Sequence, residues 1–234
     1  RNKIFRFRKC DLKNYFAIAV LFVSGFAFFQ PEKKPTLFLA GDSTMANKPL
    51  EENPERGWGM YLPSFLTSDI IVENHAVNGR STKSFINLKH WDGIMNRLQQ
   101  GDFVMIQFGH NDSKEDDTTR YAPAATLYKE NLIRFVNDVR SKGATPILIT
   151  PVMRRKFDAG GNFVDQHGDY PSVVKEVANT MKVELIDLHQ RSKELIVNEG
   201  IENSKRFFLH VPAGHFKNYK DKKPEDNTHF TEYG

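Results

Sequence analysis

Two short stretches, far apart in the chain, carry residue types suited to nucleophilic and acid–base chemistry. Ser43 lies in Gly41-Asp42-Ser43-Thr44, directly after the apolar run Thr36-Leu37-Phe38-Leu39-Ala40. Near the other end, Asp226-Asn227-Thr228-His229 sets an acid and an imidazole three residues apart. A serine hydroxyl is a weak nucleophile until a base takes its proton, and an acid that orients the base completes the relay. Folding would have to join the two stretches. Taken alone, the first also reads as a strand-ending turn in which Asp or Ser caps the next helix.

The elements that must position these residues are legible as alternation. Apolar runs at 36–40, 69–73, 103–108, 145–150 and 183–187 are rich in Val, Ile, Leu and Phe. Such continuous runs suit parallel strands buried on both faces. Amphipathic stretches at 90–100, 121–141, 171–181 and 188–199 lie between or after them. Pro171 suits a first helical turn and Gly200 a helix stop. The β-α-β alternation predicts an α/β fold with a doubly wound, five-stranded parallel sheet. Ligands in such sheets bind beyond the strand carboxyl ends, near the switch point. Chemistry is therefore expected on the loops after Ala40, Glu73, Phe108 and Thr150. Residues 202–228 are polar and Lys-rich and read as a long surface loop.

Two further polar clusters fall at predicted strand ends. Asn74-His75-Ala76-Val77-Asn78-Gly79-Arg80-Ser81 follows the second strand, and Gly109-His110-Asn111-Asp112 follows the third. The first reads as an Asn-Gly turn, or as a place where Gly79 lets a backbone N–H approach a substrate. Asn111 would aim a neutral amide at the same crevice. In order and spacing, Gly41-Asp42-Ser43, Gly79, Gly109-His110-Asn111-Asp112 and Asp226-x-x-His229 resemble the four blocks of SGNH (GDSL-type) hydrolases. Gly57-Trp58-Gly59, the Asn78–Phe85 stretch and Asp226-Asn227-Thr228-His229-Phe230 are similar to rhamnogalacturonan acetylesterases within that group. The resemblance covers residues 36–234.

The resemblance implies a flavodoxin-like, three-layer α/β/α sandwich without the Gly-x-Ser-x-Gly elbow of the α/β-hydrolases. It implies Ser43 as nucleophile, His229 as base and Asp226 as its orienting acid. The Ser43 N–H, the Gly79 N–H and the Asn111 side chain become the oxyanion donors. Asp42, Arg80, His110 and Trp58 are expected near the substrate. For His110 a structural hydrogen bond is an equal reading, and for Trp58 core packing is the default. Arg80 suits a galacturonate carboxylate, whereas the Lys run at 217–223 reads as a solvated loop. The resemblance also implies a closing helix after the Asp-x-x-His block, expected to lie beyond Gly234, which would leave His229 weakly held near a terminus.

Composition excludes other classes. Residues 1–30 hold six Lys/Arg and one acid, leaving 27 basic and 28 acidic residues of the chain's 33 and 29. The body from residue 31 is thus nearly neutral, without the basic field a nucleic-acid partner would need. A basic stretch to Lys13 followed by the apolar run 15–29 predicts an export signal or an uncleaved anchor, so the domain at 31–234 is expected outside the cytoplasm. The single Cys10 leaves that domain no disulfide and no thiol nucleophile. His75, His90, His167, His189, His210 and His215 show no metal-ligand spacing, and neither metal nor cofactor is expected. A monomer is expected, acting on an acetylated acidic polysaccharide. The competing readings are a lysophospholipase or thioesterase of the same group, and a non-enzymatic flavodoxin-like phosphate binder disfavoured by the Asp42 charge.

Overall fold

The computed structural model describes residues 33–51, 53–214, 216–221 and 223–234. The expected leader, 1–30, lies outside the described residues. Five strands form one parallel sheet: β1 (Thr36–Gly41), β2 (Ile71–Asn74), β3 (Phe103–Gln107), β4 (Thr145–Ile149) and β5 (Glu184–Ile186). Their order is β2-β1-β3-β4-β5, the flavodoxin-like order with its switch between β1 and β3. Among the described residues, no helix is long and apolar enough to cross a membrane.

Alternation along β1 and β3 splits the core in two. Phe38, Ala40, Val104 and Ile106 face one side, where they meet the helices α1 (Thr82–Asn87), α2 (His90–Met95), α3 (Lys129–Ser141) and α4 (Tyr170–Met181). Phe85, Trp91, Leu132, Phe135 and Val174 supply most of the bulk there and are almost fully buried. Leu37, Leu39 and Met105 face the other side, against Trp58 and Leu62. Helix α5 (Leu188–Asn203) buries Ile196 with Val152, Phe207 and Phe230. The two sides make the α/β/α layering that the sequence predicts. An apolar groove of about 380 Å³ stays open between Trp58, Met105, Ile149, Ile186, Leu195 and Phe230.

The departures from expectation are local. Helix α1 is an unanticipated element, started by a reciprocal cap in which Ser84 N donates to Ser81 Oγ and Ser81 N donates to Ser84 Oγ. The helix expected over 121–141 opens with a π-helical turn at Ala124–Tyr128 before α3. At Gly200 the chain takes φ 72° and ψ −177°, which breaks α5 where the sequence predicts a stop. The loop expected at 202–228 contains strand β6 (Phe208–Leu209), which pairs antiparallel with β7 (Asp226–Phe230) across a bulge.

Candidate active site

The β2-β1-β3 order sets the Ser43 loop between the loops that carry Gly79 and Asn111. The Ser43 loop is a single tight turn in which Met45 N and Ala46 N donate to the Asp42 carbonyl. Trp58 N donates to Thr44 O behind it (2.9 Å). At Gly57 a Cβ would stand 2.1 Å from the Ala46 carbonyl oxygen, so only glycine allows this approach. Ser43 itself stays half-buried.

β7 brings the distant pair to it. Ser43 Oγ and His229 Nε2 are 2.9 Å apart, and His229 Nδ1 is 2.7 Å from Asp226 Oδ2. Asp226 Oδ1 also accepts the backbone N–H groups of Thr228 (2.6 Å) and His229 (3.0 Å). This short Asx-type turn explains how groups three residues apart on a strand can touch. Burial pushes the Asp226 carboxyl up, but these bonds outweigh it and bring its pKa to about 2. For His229 burial acts downward; the Asp226 bond and the charges of Glu55 and Asp226 exceed it and raise the imidazole. Asp226 is therefore ionised, and its bond places the imidazole proton on Nδ1, leaving Nε2 as an acceptor facing the serine.

The terminal stretch is pinned on both flanks, contrary to the weak hold expected of it. Arg56 N donates to Phe230 O (2.8 Å), Thr231 N to Phe207 O and Arg155 N to Asn227 O. Arg155 Nη1 and His210 Nε2 both reach Asn227 Oδ1 at 2.8 Å. Phe230 packs on Phe208 with ring centroids 5.3 Å apart.

The donors expected for an oxyanion lie on the loops after the strands that flank β1, and Asn111 meets the Gly79 turn at Arg80. Gly79 takes φ +71°, and no heavy atom nearer than Arg120 Nη1 at 3.8 Å would meet a Cβ there. Glycine is thus required by backbone conformation rather than by crowding. Asn111 is oriented by obligate partners. Its Oδ1 accepts from Arg120 Nη1 (3.3 Å), and its Nδ2 donates one proton to Arg80 O (3.1 Å). A guanidinium has no acceptor, so Asn111 must turn its amide nitrogen the other way. Asp112 holds the same loop to α1: its Oδ1 accepts from Thr82 N (2.9 Å) and Thr82 Oγ1 (2.5 Å).

Two expected substrate contacts are corrected by the fold. Asp42 is fully buried: its Oδ1 accepts from Thr44 N and Thr44 Oγ1, and its Oδ2 meets His110 Nδ1 at 3.2 Å. His110 is equally interior and also touches His167. Both act as scaffold for the Ser43 turn, and the Asp42 charge does not face the crevice. Trp58 is partly committed, with Nε1 donating to Gln107 Oε1 (2.8 Å) and its half-buried ring packed against Leu37, Leu39 and Met45. Arg80 is half-buried, donates from Nε to His90 Nε2 (3.3 Å), and lines a groove of about 460 Å³ with Gly79, Lys83 and Arg120. Lys217, Lys220 and Lys223 are exposed, as a solvated run should be.

Sequence reasoning missed Lys48 and Glu55. The nearly buried Lys48 ammonium pairs with Glu55 Oε1 at 2.5 Å and bonds Asn78 Oδ1, next to Gly79. Glu55 Oε1 also lies 3.8 Å from His229 Nε2. This pair connects the imidazole to the Gly79 turn, yet neither residue sits in a motif. Only the arrangement of strands reveals it. Elsewhere, Asp165, His167 and His189 bring potential metal-ligand atoms within 4.8 Å of one another, a grouping that their spacing in sequence conceals.

A hydroxyl, an imidazole and an ionised carboxylate in line, at the carboxyl end of a doubly wound sheet, are the arrangement of a serine hydrolase. The GDSL-like lipase/acylhydrolase family model matches residues 39–234. The chain belongs to that family, as a carboxylic ester hydrolase of the SGNH type. It is 40% identical over 203 residues to rhamnogalacturonan acetylesterase RhgT of Bacillus subtilis, covering 86% of this chain and 85% of that protein. YesY of the same organism is 34% identical over 198 residues, covering 85% and 86%. The crystal structure of Bacillus subtilis YxiM superposes with a TM-score of 0.73 at 27% identity, over 88% of this chain and 54% of that one.

Asp112 yields a stability prediction. Burial is the largest cause raising its carboxyl to about 7, the Asp42 charge adds to it, and the Thr82 bonds oppose it. Its Oδ2 has no hydrogen-bond partner. Folding therefore retains a proton that the unfolded chain, with its ordinary value of 3.8, releases. The stability this group contributes is full below 3.8 and is lost as pH rises through about 7. Asp112→Asn keeps the acceptor for Thr82 and removes the ionisation. Its melting temperature relative to wild type is expected to rise between pH 5 and pH 8; a difference independent of pH would contradict the assignment.

Proposed function

We propose that this chain removes O-acetyl groups from a pectic polysaccharide, rhamnogalacturonan, through an acetyl-enzyme on Ser43. The 2.9 Å contact of Ser43 Oγ with His229 Nε2, continued at 2.7 Å to Asp226, carries the proposal. Ser43 Oγ attacks the ester carbonyl as His229 Nε2 takes its proton. The imidazolium formed is stabilised by the Asp226 carboxylate and by Glu55 at 3.8 Å. The carbonyl oxygen becomes an oxyanion, which accepts from the Ser43 N–H, the Gly79 N–H and the second Asn111 amide proton. Collapse breaks the bond to the sugar oxygen, and His229 returns the proton to that leaving alkoxide. Water, deprotonated by the same imidazole, then attacks acetyl-Ser43 and releases acetate.

The substrate class rests on two supports. One is the likeness to RhgT along most of both chains. The other is the groove beside Gly79, where Arg80, Lys83 and Arg120 could face the carboxylates of an acidic sugar backbone. Arg120 is paired with Asp117 at 2.5 Å, and Lys83 Nζ donates to Thr118 O, which leaves Arg80 the group best suited to an added anion. The basic and apolar order of residues 1–29 supports export of the domain, with or without retention of the leader as an anchor.

Ser43→Ala is expected to abolish turnover of an aryl acetate. Asn111→Ala should keep the fold and lower kcat about 10²- to 10³-fold, roughly 3–4 kcal/mol of lost oxyanion stabilisation. An Asn111→Ala enzyme with wild-type kcat would remove that donor from the mechanism.

Acetate release from acetylated rhamnogalacturonan, acetylated xylan and acetylated homogalacturonan, alongside aryl esters of increasing acyl length, tests the substrate. Rhamnogalacturonan is expected to be the fastest polymer and acetate the preferred acyl group. Arg80→Ala should cost more on the acidic polymer than on the aryl acetate. Preference for long acyl chains would overturn the polysaccharide reading in favour of a lipid or thioester substrate.

A further inference from the structure

Behind the Ser43 turn, the buried polar groups form a continuous line. It runs from Asp42 through His110 and His167 to Asp165 and His189. His110 Nδ1 is 3.2 Å from Asp42 Oδ2, and His110 Nε2 is 3.4 Å from His167 Nε2. His167 Nδ1 is 3.2 Å from Asp165 Oδ1, and His189 Nε2 is 3.0 Å from Asp165 Oδ2. The three imidazoles stand edge to face, each with its neighbour at 5.1 Å between centroids.

Counting protons along this line exposes a conflict. Asp42 accepts, so His110 Nδ1 must carry a proton. A neutral His110 then presents a bare Nε2, to which His167 Nε2 must donate. A neutral His167 is left with a bare Nδ1, and that lone pair faces the Asp165 carboxylate. Two acceptors at 3.2 Å need one positive charge between them: a second proton on the histidine pair, or a metal ion.

His189 favours the metal. It is 8% exposed, and its Nε2 has no hydrogen-bond partner, although Asp165 Oδ2 is only 3.0 Å away. The contact is close without being aligned as a hydrogen bond, so the nearly buried His189 nitrogen is left unsatisfied beside the carboxylate. One ligand atom from each of the three residues lies within 4.8 Å of the others, a spread that tetrahedral zinc, with bonds of about 2.0–2.1 Å and ligand atoms about 3.3 Å apart, would draw together. Two imidazoles and a carboxylate are a donor set zinc accepts. The Asp165 side chain is 38% exposed, which leaves water access to a fourth position. The charge of Arg154 opposes a further cation beside His167, and the Asp165 carboxylate acts in the opposite sense.

We propose that Asp165, His167 and His189 form a zinc site with water as fourth ligand. The ion would tie the loop before α4 to the first turn of α5. Through the second nitrogen of His167 it would also fix the tautomer of His110, and so the Asp42 bonds that shape the Ser43 turn.

The test uses tag-free, full-chain protein stripped with a chelator and titrated with zinc by calorimetry. One zinc per chain is expected. Asp165→Asn and His189→Gln, each checked for folding by circular dichroism, should weaken binding by more than about tenfold, as loss of a ligand costs at least what loss of a supporting partner does. Cobalt-loaded wild type supplies a measurement independent of the variants. An intense tetrahedral visible spectrum is expected, and a weak octahedral one would overturn the site. Absence of stoichiometric zinc, or equal binding in both folded variants, would equally overturn it and assign the charge to a proton on the histidine line.

Discussion

The contact between Ser43 Oγ and His229 Nε2 joins residues 186 positions apart, and almost every irregular feature of the fold bears on keeping it. No helix or strand contains both partners. Ser43 is set by the end of β1 in the parallel sheet, whereas His229 is set by β7, outside that sheet. The two supports meet through Arg56, whose N–H bonds Phe230 O while its neighbour Gly57 allows the chain to pass within contact of Ala46. A single small residue at that crossing allows the serine turn and the histidine strand to share one wall.

Around the contact, charge is arranged by burial. Asp42 is ionised although fully enclosed, because His110 and Thr44 supply bonds that exceed the burial cost. Asp112, also enclosed, is held protonated near neutrality because Thr82 supplies too little and Asp42 adds its own charge. The neighbouring loops after β1 and β3 thus carry two carboxyl groups with opposite protonation. The first shapes the nucleophile turn and the second anchors α1 beside the Gly79 turn. Lys48 and Glu55 add a third fixed point between His229 and Asn78. Positions are held by paired charge in the interior, where it is least screened by solvent.

The parallel sheet was legible because strands buried on both faces must be apolar throughout, and five such runs stand out between amphipathic segments. The strands β6 and β7 were not legible. They are two and five residues long, polar in part, and exist through pairing with each other and with Arg56 rather than through their own composition. Ser43, Gly79 and Asn111 could be singled out because strand ends and glycine turns mark their loops, and Asp226 and His229 because an acid and an imidazole stand three residues apart. Residue type did not say which polar side chains point inward. Asp42 and His110 look like substrate contacts in sequence and are interior in the fold, while Glu55 looks like an ordinary surface acid and lies beside the imidazole. Asp165, His167 and His189 show the same limit, since a helix and a strand separate His189 from the other two along the chain.

The central claim is that one hydroxyl is activated by one distant imidazole. Covalent labelling with a fluorophosphonate, read by intact mass and peptide mapping, addresses it directly. The account predicts a single adduct on Ser43, formed far more slowly in His229→Ala, with loss of esterase activity in proportion to labelling. Labelling at another residue, or full activity in protein whose Ser43 is fully modified, would contradict it.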